Sequence, residues 1–126
     1  MKSMENKGRV SVEFRDRTKR FAAWVIRMYV ALDKSREEVR VCGRQFLRAG
    51  TSVAAHVREA SRGRSDCEFV SKLGGALQEA DEAILWLELL REECGVTHFL
   101  LSDIESEGQE LIAIMVTMIR RTNDKA

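Results

Sequence analysis

Four stretches of the chain repeat apolar side chains with a helical period, and each predicts one amphipathic α-helix. Over residues 12–33, Phe14, Thr18, Phe21, Val25, Met28 and Leu32 recur at alternating steps of four and three, the spacing of a bundle seam. A second stretch carries Val39, Cys42, Phe46, Ala49, Val53 and Ala60. It starts after Ser35, with Glu38 as capping-box partner, and stops at Ser61-Arg62-Gly63-Arg64. The third begins at Ser65, again with a glutamate three residues on at Glu68. It runs through Phe69, Leu73, Ala76, Ala80, Ala83, Leu87, Leu90 and Cys94 to a capping glycine, Gly95. The fourth covers residues 98–122, with Leu101, Ile104, Gly108, Leu111, Met115 and Met118 on one side. Short connections between long helices predict an all-α, antiparallel up-down-up-down four-helix bundle. Its expected span is residues 12–122, between a disordered N-terminal tail (1–11) and a C-terminal tail (123–126).

Two of these helices are apolar around most of their girth. Trp24, Ile26 and Val30 lie off the seam of the first, and LIAIMVTMI (111–119) in the fourth is apolar nearly all round. A helix of that kind is buried on more than one side. A small bundle cannot surround its own outer helices, so contact with another subunit is expected. Gly43 and Gly50 inside the second helix each cost about 1 kcal/mol of helix propensity, which predicts close approach of a neighbouring backbone.

The 126-residue chain contains no proline, is 44% hydrophobic and 33% charged, and so has the composition of a single water-soluble domain. The longest apolar run, residues 21–32, is broken by Arg27 and is too short to span a bilayer. With no secretory signal and no CxxC pair, the three cysteines (Cys42, Cys67, Cys94) read as reduced thiols in a cytoplasmic protein.

Charge changes the picture more. Residues 1–64 hold 16 Lys and Arg against 7 Asp and Glu, whereas residues 65–126 hold 5 against 13. Basic helices packed beside acidic ones within a fold, a head-to-tail oligomer and an anionic partner would each neutralise such halves. In the basic half, Arg36, Arg40, Arg44 and Arg48 fall four apart on the second helix. The stripe reads as a solvated face, as a phosphate-binding surface or as a set of intersubunit ion pairs. With Arg62 and Arg64, the residues Arg36, Arg40 and Arg44 are the candidates for nucleic-acid contact.

A second polar pattern lies beside the apolar stripes. Gln45, Arg48, Ser52, His56 and Glu59 line one side of the second helix, and Lys72, Glu79, Glu82 and Trp86 line one side of the third. Two such lines suggest a hydrogen-bonded seam between antiparallel neighbours. With a turn near residues 62–65, facing positions sum to about 127. Arg48 is then expected opposite Glu79, Gln45 opposite Glu82, Ser52 opposite Gly75, and Glu59 near Glu68. An Arg48–Glu79 ion pair completed by Glu82 and Lys72 would fix register and orientation more than stability. A functional site built on Arg48, His56, Glu79 and Glu82 is the other reading.

The ordered set Gln45, Arg48, Ser52, Glu59, Ser65, Glu68, Phe69, Lys72, Ala76, Glu79, Ala80, Glu82, Trp86 and Leu87 resembles the four-helix-bundle family associated with intervening sequences in 23S ribosomal RNA genes, also called S23-type proteins. His56 stands where the family pattern has Asn, and Gly74 and Gly75 stand where larger residues are usual. The resemblance implies a ring-shaped homopentamer with RNA or ribosome association. A similar bundle serves retroelement reverse transcriptases as an accessory protein that binds enzyme and nucleic acid.

Signatures of catalysis are absent: no Walker-type loop, no G-x-S-x-G elbow, no H-E-x-x-H helix. His56 and His98 sit on different predicted helices without ligands at metal spacing. Glu79 and Glu82 lack the Glu-x-x-His motifs of a di-iron bundle. Cys67 lies near a helix N-terminus, where a thiol can be activated, but reads first as an inert half-buried thiol. The expectation is a non-enzymatic oligomer without cofactor or metal. It would bind structured RNA or other nucleic acid through the basic face of its first two helices. The alternative is a protein-binding scaffold docking an acidic partner or an enzyme such as a reverse transcriptase. Aromatic residues make up only 6% of the chain, so nucleic-acid contact would be led by phosphate rather than stacking.

Overall fold

A computed structural model of the chain describes residues 8–125. Four helices account for most of them: α1 (Val12–Ala31), α2 (Glu37–Ser61), α3 (Asp66–Glu92) and α4 (Leu100–Lys125). Each packs on its sequence neighbour, and α4 returns to α1, giving the antiparallel up-down-up-down bundle. The α2–α3 seam is the most extensive and the α1–α4 seam the thinnest.

The apolar stripes become the core. Phe21, Phe46, Met28, Leu73, Leu87, Leu90, Ile104, Leu111 and Met115 are all less than 2% exposed. The glycines of α2 mark a close approach, made by side chains of the neighbouring segment and not by its backbone as expected. A Cβ on Gly50 would lie 2.7 Å from both γ-methyls of Val25, and one on Gly43 would lie 2.6 Å from a Leu32 methyl. α1 therefore rides directly on the α2 backbone.

Helix ends differ in detail from the sequence expectation. α1 opens on Ser11, whose hydroxyl accepts the Phe14 N–H at 3.1 Å. It closes at Ala31, two residues early, where the Lys34 ammonium donates to the carbonyls of Tyr29, Leu32 and Val30 at 2.9, 3.1 and 3.3 Å. Ser35 is not the cap of α2. Its hydroxyl donates to Asp33 at 2.6 Å instead, and Arg36 occupies the cap position without a side-chain capping bond. Ser65 does cap α3, accepting the Glu68 N–H at 3.0 Å, while the Glu68 carboxylate accepts the Arg64 N–H at 3.0 Å. Gly95 adopts φ +68°, which lets the Val96 N–H bond back to the Leu90 carbonyl at 2.9 Å. α4 starts two residues later than expected, where His98 Nδ1 accepts the Leu100 N–H at 3.1 Å, and continues through Asn123–Lys125.

The tails also need correction. Residues 8–11, expected to be disordered, are packed: Val10 is fully buried, and the Arg9 N–H bonds to the Ser61 carbonyl at 3.0 Å. A lone valine in a polar stretch carries no periodicity, so its anchoring was invisible in the pattern. The rest of the expected tail, residues 1–7, and Ala126 lie outside the described residues. Among the described residues, no helix is long and apolar enough to cross a membrane.

Candidate polar seam and basic surface

The line on α2 and the line on α3 do face each other, but one helical turn away from the counted register. The His56 ring lies 3.4 to 3.6 Å from the Cβ position of Gly75, and Lys72 Nζ lies 3.7 Å from Glu59. Each partner is four residues further along α3 than the count placed it. The cause sits in the turn. The backbone of Phe69 lies against Gly63, with Phe69 Cα and N both 3.2 Å from the Gly63 Cβ position, so the first turn of α3 is spent under the loop rather than beside α2.

The slip removes the expected ion pair. Arg48 is exposed and makes no ion pair with Glu79 among the described residues. Glu79 instead approaches His56, Nε2 to Oε2 at 3.9 Å, while His56 Nδ1 meets Glu59 Oε1 at 3.2 Å. The other Glu79 oxygen, Oε1, is buried with no hydrogen-bond partner in the structure. Ser52 donates to its own helix, at the Arg48 carbonyl, 2.7 Å away. Gln45, Glu82 and Trp86 are half-buried, and the Trp86 ring packs on the core. The structure thus brings together His56, Glu59, Lys72 and Glu79, and leaves Arg48 outside that group. Two departures from the family pattern touch here: the histidine ring fills the room that Gly75 leaves.

The candidate phosphate contacts do not form one patch. Arg36 donates to Glu38 and to the Cys94 carbonyl, both at 2.8 Å, and Arg40 pairs with Glu37. Arg44, Arg62 and Arg64 are exposed, and their side chains have no partner among the described residues. At 1.5 Å per residue, Arg44 and Arg62 are roughly 27 Å apart along α2.

Part of the charge asymmetry is spent inside the fold. The Arg17 guanidinium of α1 grips Glu107 of α4 through two bonds, 2.7 and 2.9 Å, and reaches Glu110 at 3.0 Å. Those bonds, Glu107 first, hold Arg17 above its ordinary pKa. Arg91 of α3 bonds Glu105 of α4 at 2.8 Å. Neither pair was foreseen, because partners 90 and 14 residues apart leave no short-range signal. Burial, and then the neighbouring Cys42 thiol, push Cys94 above its ordinary pKa, whereas Cys67 is exposed. Among the described residues, no group of three or more His, Cys, Asp and Glu could hold a metal ion.

A bundle with this core, this polar seam and these small residues can be set beside known proteins. The family model described as 23S rRNA-intervening sequence protein matches residues 11–117. The chain belongs to that family. A crystal structure from Bacteroides thetaiotaomicron, a protein of unknown function from the S23 ribosomal protein family, superposes with a TM-score of 0.76 at 32% identity. The match covers 84% of this chain and 97% of that one. No curated protein matches the chain.

Proposed function

We propose that this 23S rRNA-intervening sequence protein is a non-enzymatic, cytoplasmic subunit of a homo-oligomer that binds RNA through phosphate contacts. One observation carries the assembly: two exposed faces of the same chain complement each other. On α1 and α2, Ile26, Val30 and Val41 are 46, 69 and 49% exposed and stand among Arg27, Arg44 and Arg48. On α3, Leu85 is 48% exposed on a face that repeats Asp81, Leu85, Glu88 and Glu92 at steps of four, three and four. An apolar strip edged by cations fits an apolar strip edged by carboxylates. The two surfaces belong to different helices, so the contact is head-to-tail, the kind that builds a ring where the rotation closes. Five copies is the number that the family resemblance implies.

The RNA reading is supported by the family description and by exposed cations that have no internal partner and stand outside that contact, among them Arg58, Arg62 and Arg64. Contacts of that kind release counterions, so affinity should fall steeply with salt. A mobility-shift series with structured RNA from low to moderate salt tests this. Progressive loss of binding is expected; salt-independent binding, or none at low salt, would overturn it. The second reading, a scaffold for an acidic protein or an enzyme such as a reverse transcriptase, is favoured by Phe99, which is 79% exposed at the far end of the bundle. A partner that survives nuclease treatment in a pull-down supports the scaffold over RNA.

A further inference from the structure

Folding redistributes the charges along the bundle axis as well as between its layers. Divided at the helix midpoints, the half that contains the α2–α3 turn (residues 8–21, 49–79 and 113–125) holds 12 Lys and Arg against 7 Asp and Glu. The opposite half (22–48 and 80–112) holds 7 against 12. One end of the bundle is therefore basic, and head-to-tail contact through the flanks leaves that end open.

The basic end contains a cleft of about 300 Å³ lined by Arg9, Phe69, Met118, Arg121, Thr122 and Lys125. Its floor is apolar, from Phe69 and Met118. Its rim is cationic on two sides. Arg9 is held in place: Nε donates to the Gly63 carbonyl at 3.0 Å, a terminal nitrogen pairs with Asp66 at 2.5 Å, and the guanidinium lies 6.0 Å from the Phe69 ring centre. Arg121 and Lys125, about one turn apart on α4, are exposed and have no partner among the described residues. The Arg9–Gly63 bond also ties the cleft to the turn that carries Arg62 and Arg64, whose side chains are likewise unpaired.

We propose that this cleft takes a terminal nucleotide bearing a phosphate monoester, with the phosphate on Arg121 and Lys125, the nucleoside over Phe69 and Met118, and the following phosphates on Arg62 and Arg64. The volume suits a single nucleotide and not a duplex. A phosphate monoester carries about −1.5 to −2 charges, against −1 for an internal diester, and so matches two free cations better. Arg9 supplies a preorganised wall, and the two α4 side chains supply the mobile charge.

The inference rests on the RNA reading, and its test separates the two. Fluorescence anisotropy would compare a short single-stranded RNA carrying a 5′-phosphate with the same RNA carrying a 5′-hydroxyl. The proteins are the full chain, the R121A/K125A variant and a K19A/R20A variant that removes as much charge outside the cleft; all four substituted side chains are exposed. The phosphorylated RNA is expected to bind about tenfold tighter, a difference of about 1.4 kcal/mol. That preference should vanish in R121A/K125A and persist in K19A/R20A. Competition by 5′-AMP would assign the cleft to a free nucleotide, and lack of competition to a chain end. Equal affinity for both RNAs, or a preference that survives in R121A/K125A, overturns the inference while leaving RNA binding intact. No affinity for either RNA overturns the function proposed above and this inference with it.

Discussion

The two flanks of α2 both contain glycines at or opposite the contact, yet only one flank depends on them. Against α1, Gly50 leaves no room at all, since an added Cβ would meet both Val25 γ-methyls at 2.7 Å. Against α3, an added Cβ on Gly74 meets nothing within 4 Å, and one on Gly75 reaches the His56 ring only at 3.4 Å. The α1–α2 contact is set by side chains pressed onto the bare backbone of α2. The α2–α3 contact is set by alanines and by side chains that can adjust. A glycine in a helix reports close packing only when the opposing atoms are stiff and near.

Single substitutions can break or sharpen this contrast. Gly50→Ala should give the largest effect, a loss of about 1–3 kcal/mol in urea unfolding, because Val25 is fully buried and, being β-branched, strongly prefers one helical rotamer. Stability equal to the parent chain would show that α1 can lift off α2 freely. Arg17→Met attacks the thinnest seam, α1–α4. The partners are 29% and 17% exposed, so a loss of about 1 kcal/mol is expected, shrinking as salt is added. Gly74→Ala should move the other way, raising stability by about 0.5–1 kcal/mol through helix propensity alone. A destabilised Gly74→Ala protein would place an unseen neighbour at that site.

The smallest expected effect is on acid stability. Asp33 lies below its ordinary pKa of 3.8, chiefly through the Ser35 hydroxyl and then the Ser35 N–H. Glu38 lies below 4.5, chiefly through its own backbone N–H and then Arg36. Carboxylates depressed in the folded state stabilise it above their unfolded pKa values, and this contribution is lost as pH falls through the folded ones. The urea midpoint should therefore be flat in these groups above their ordinary values of 3.8 and 4.5 and decline below them. Asp33→Asn should shallow that decline; an unchanged slope would remove Asp33 from the acid limb.

Which of these features could be read from the chain follows from the range over which each is encoded. Core stripes such as Phe14 to Leu32 or Phe69 to Cys94 repeat every turn, so the helices and their buried sides were legible residue by residue. The Ser65 and Gly95 caps were legible because a cap is a local device. The α2–α3 register was not, because the Phe69–Gly63 packing that consumes a turn is a three-dimensional contact with no periodic trace. Arg48, opposite Glu79 by residue count, accordingly stands in solvent, and His56 takes the place beside that carboxylate. Ser35 failed as a cap because Asp33, two residues away, competes for its hydroxyl. The cleft at the basic end was invisible for the strongest reason: Arg9, Phe69 and Arg121 belong to three separate segments that only the closed bundle brings together.

The proposed assembly needs copies of the chain to meet through the two faces, so static light scattering on a sizing column is the decisive measurement. At near-physiological salt, a species of about five 14.4 kDa chains is expected, dissociating when Val30 and Val41 are both replaced by aspartate. A single 14.4 kDa species for the unaltered protein would contradict the assembly outright.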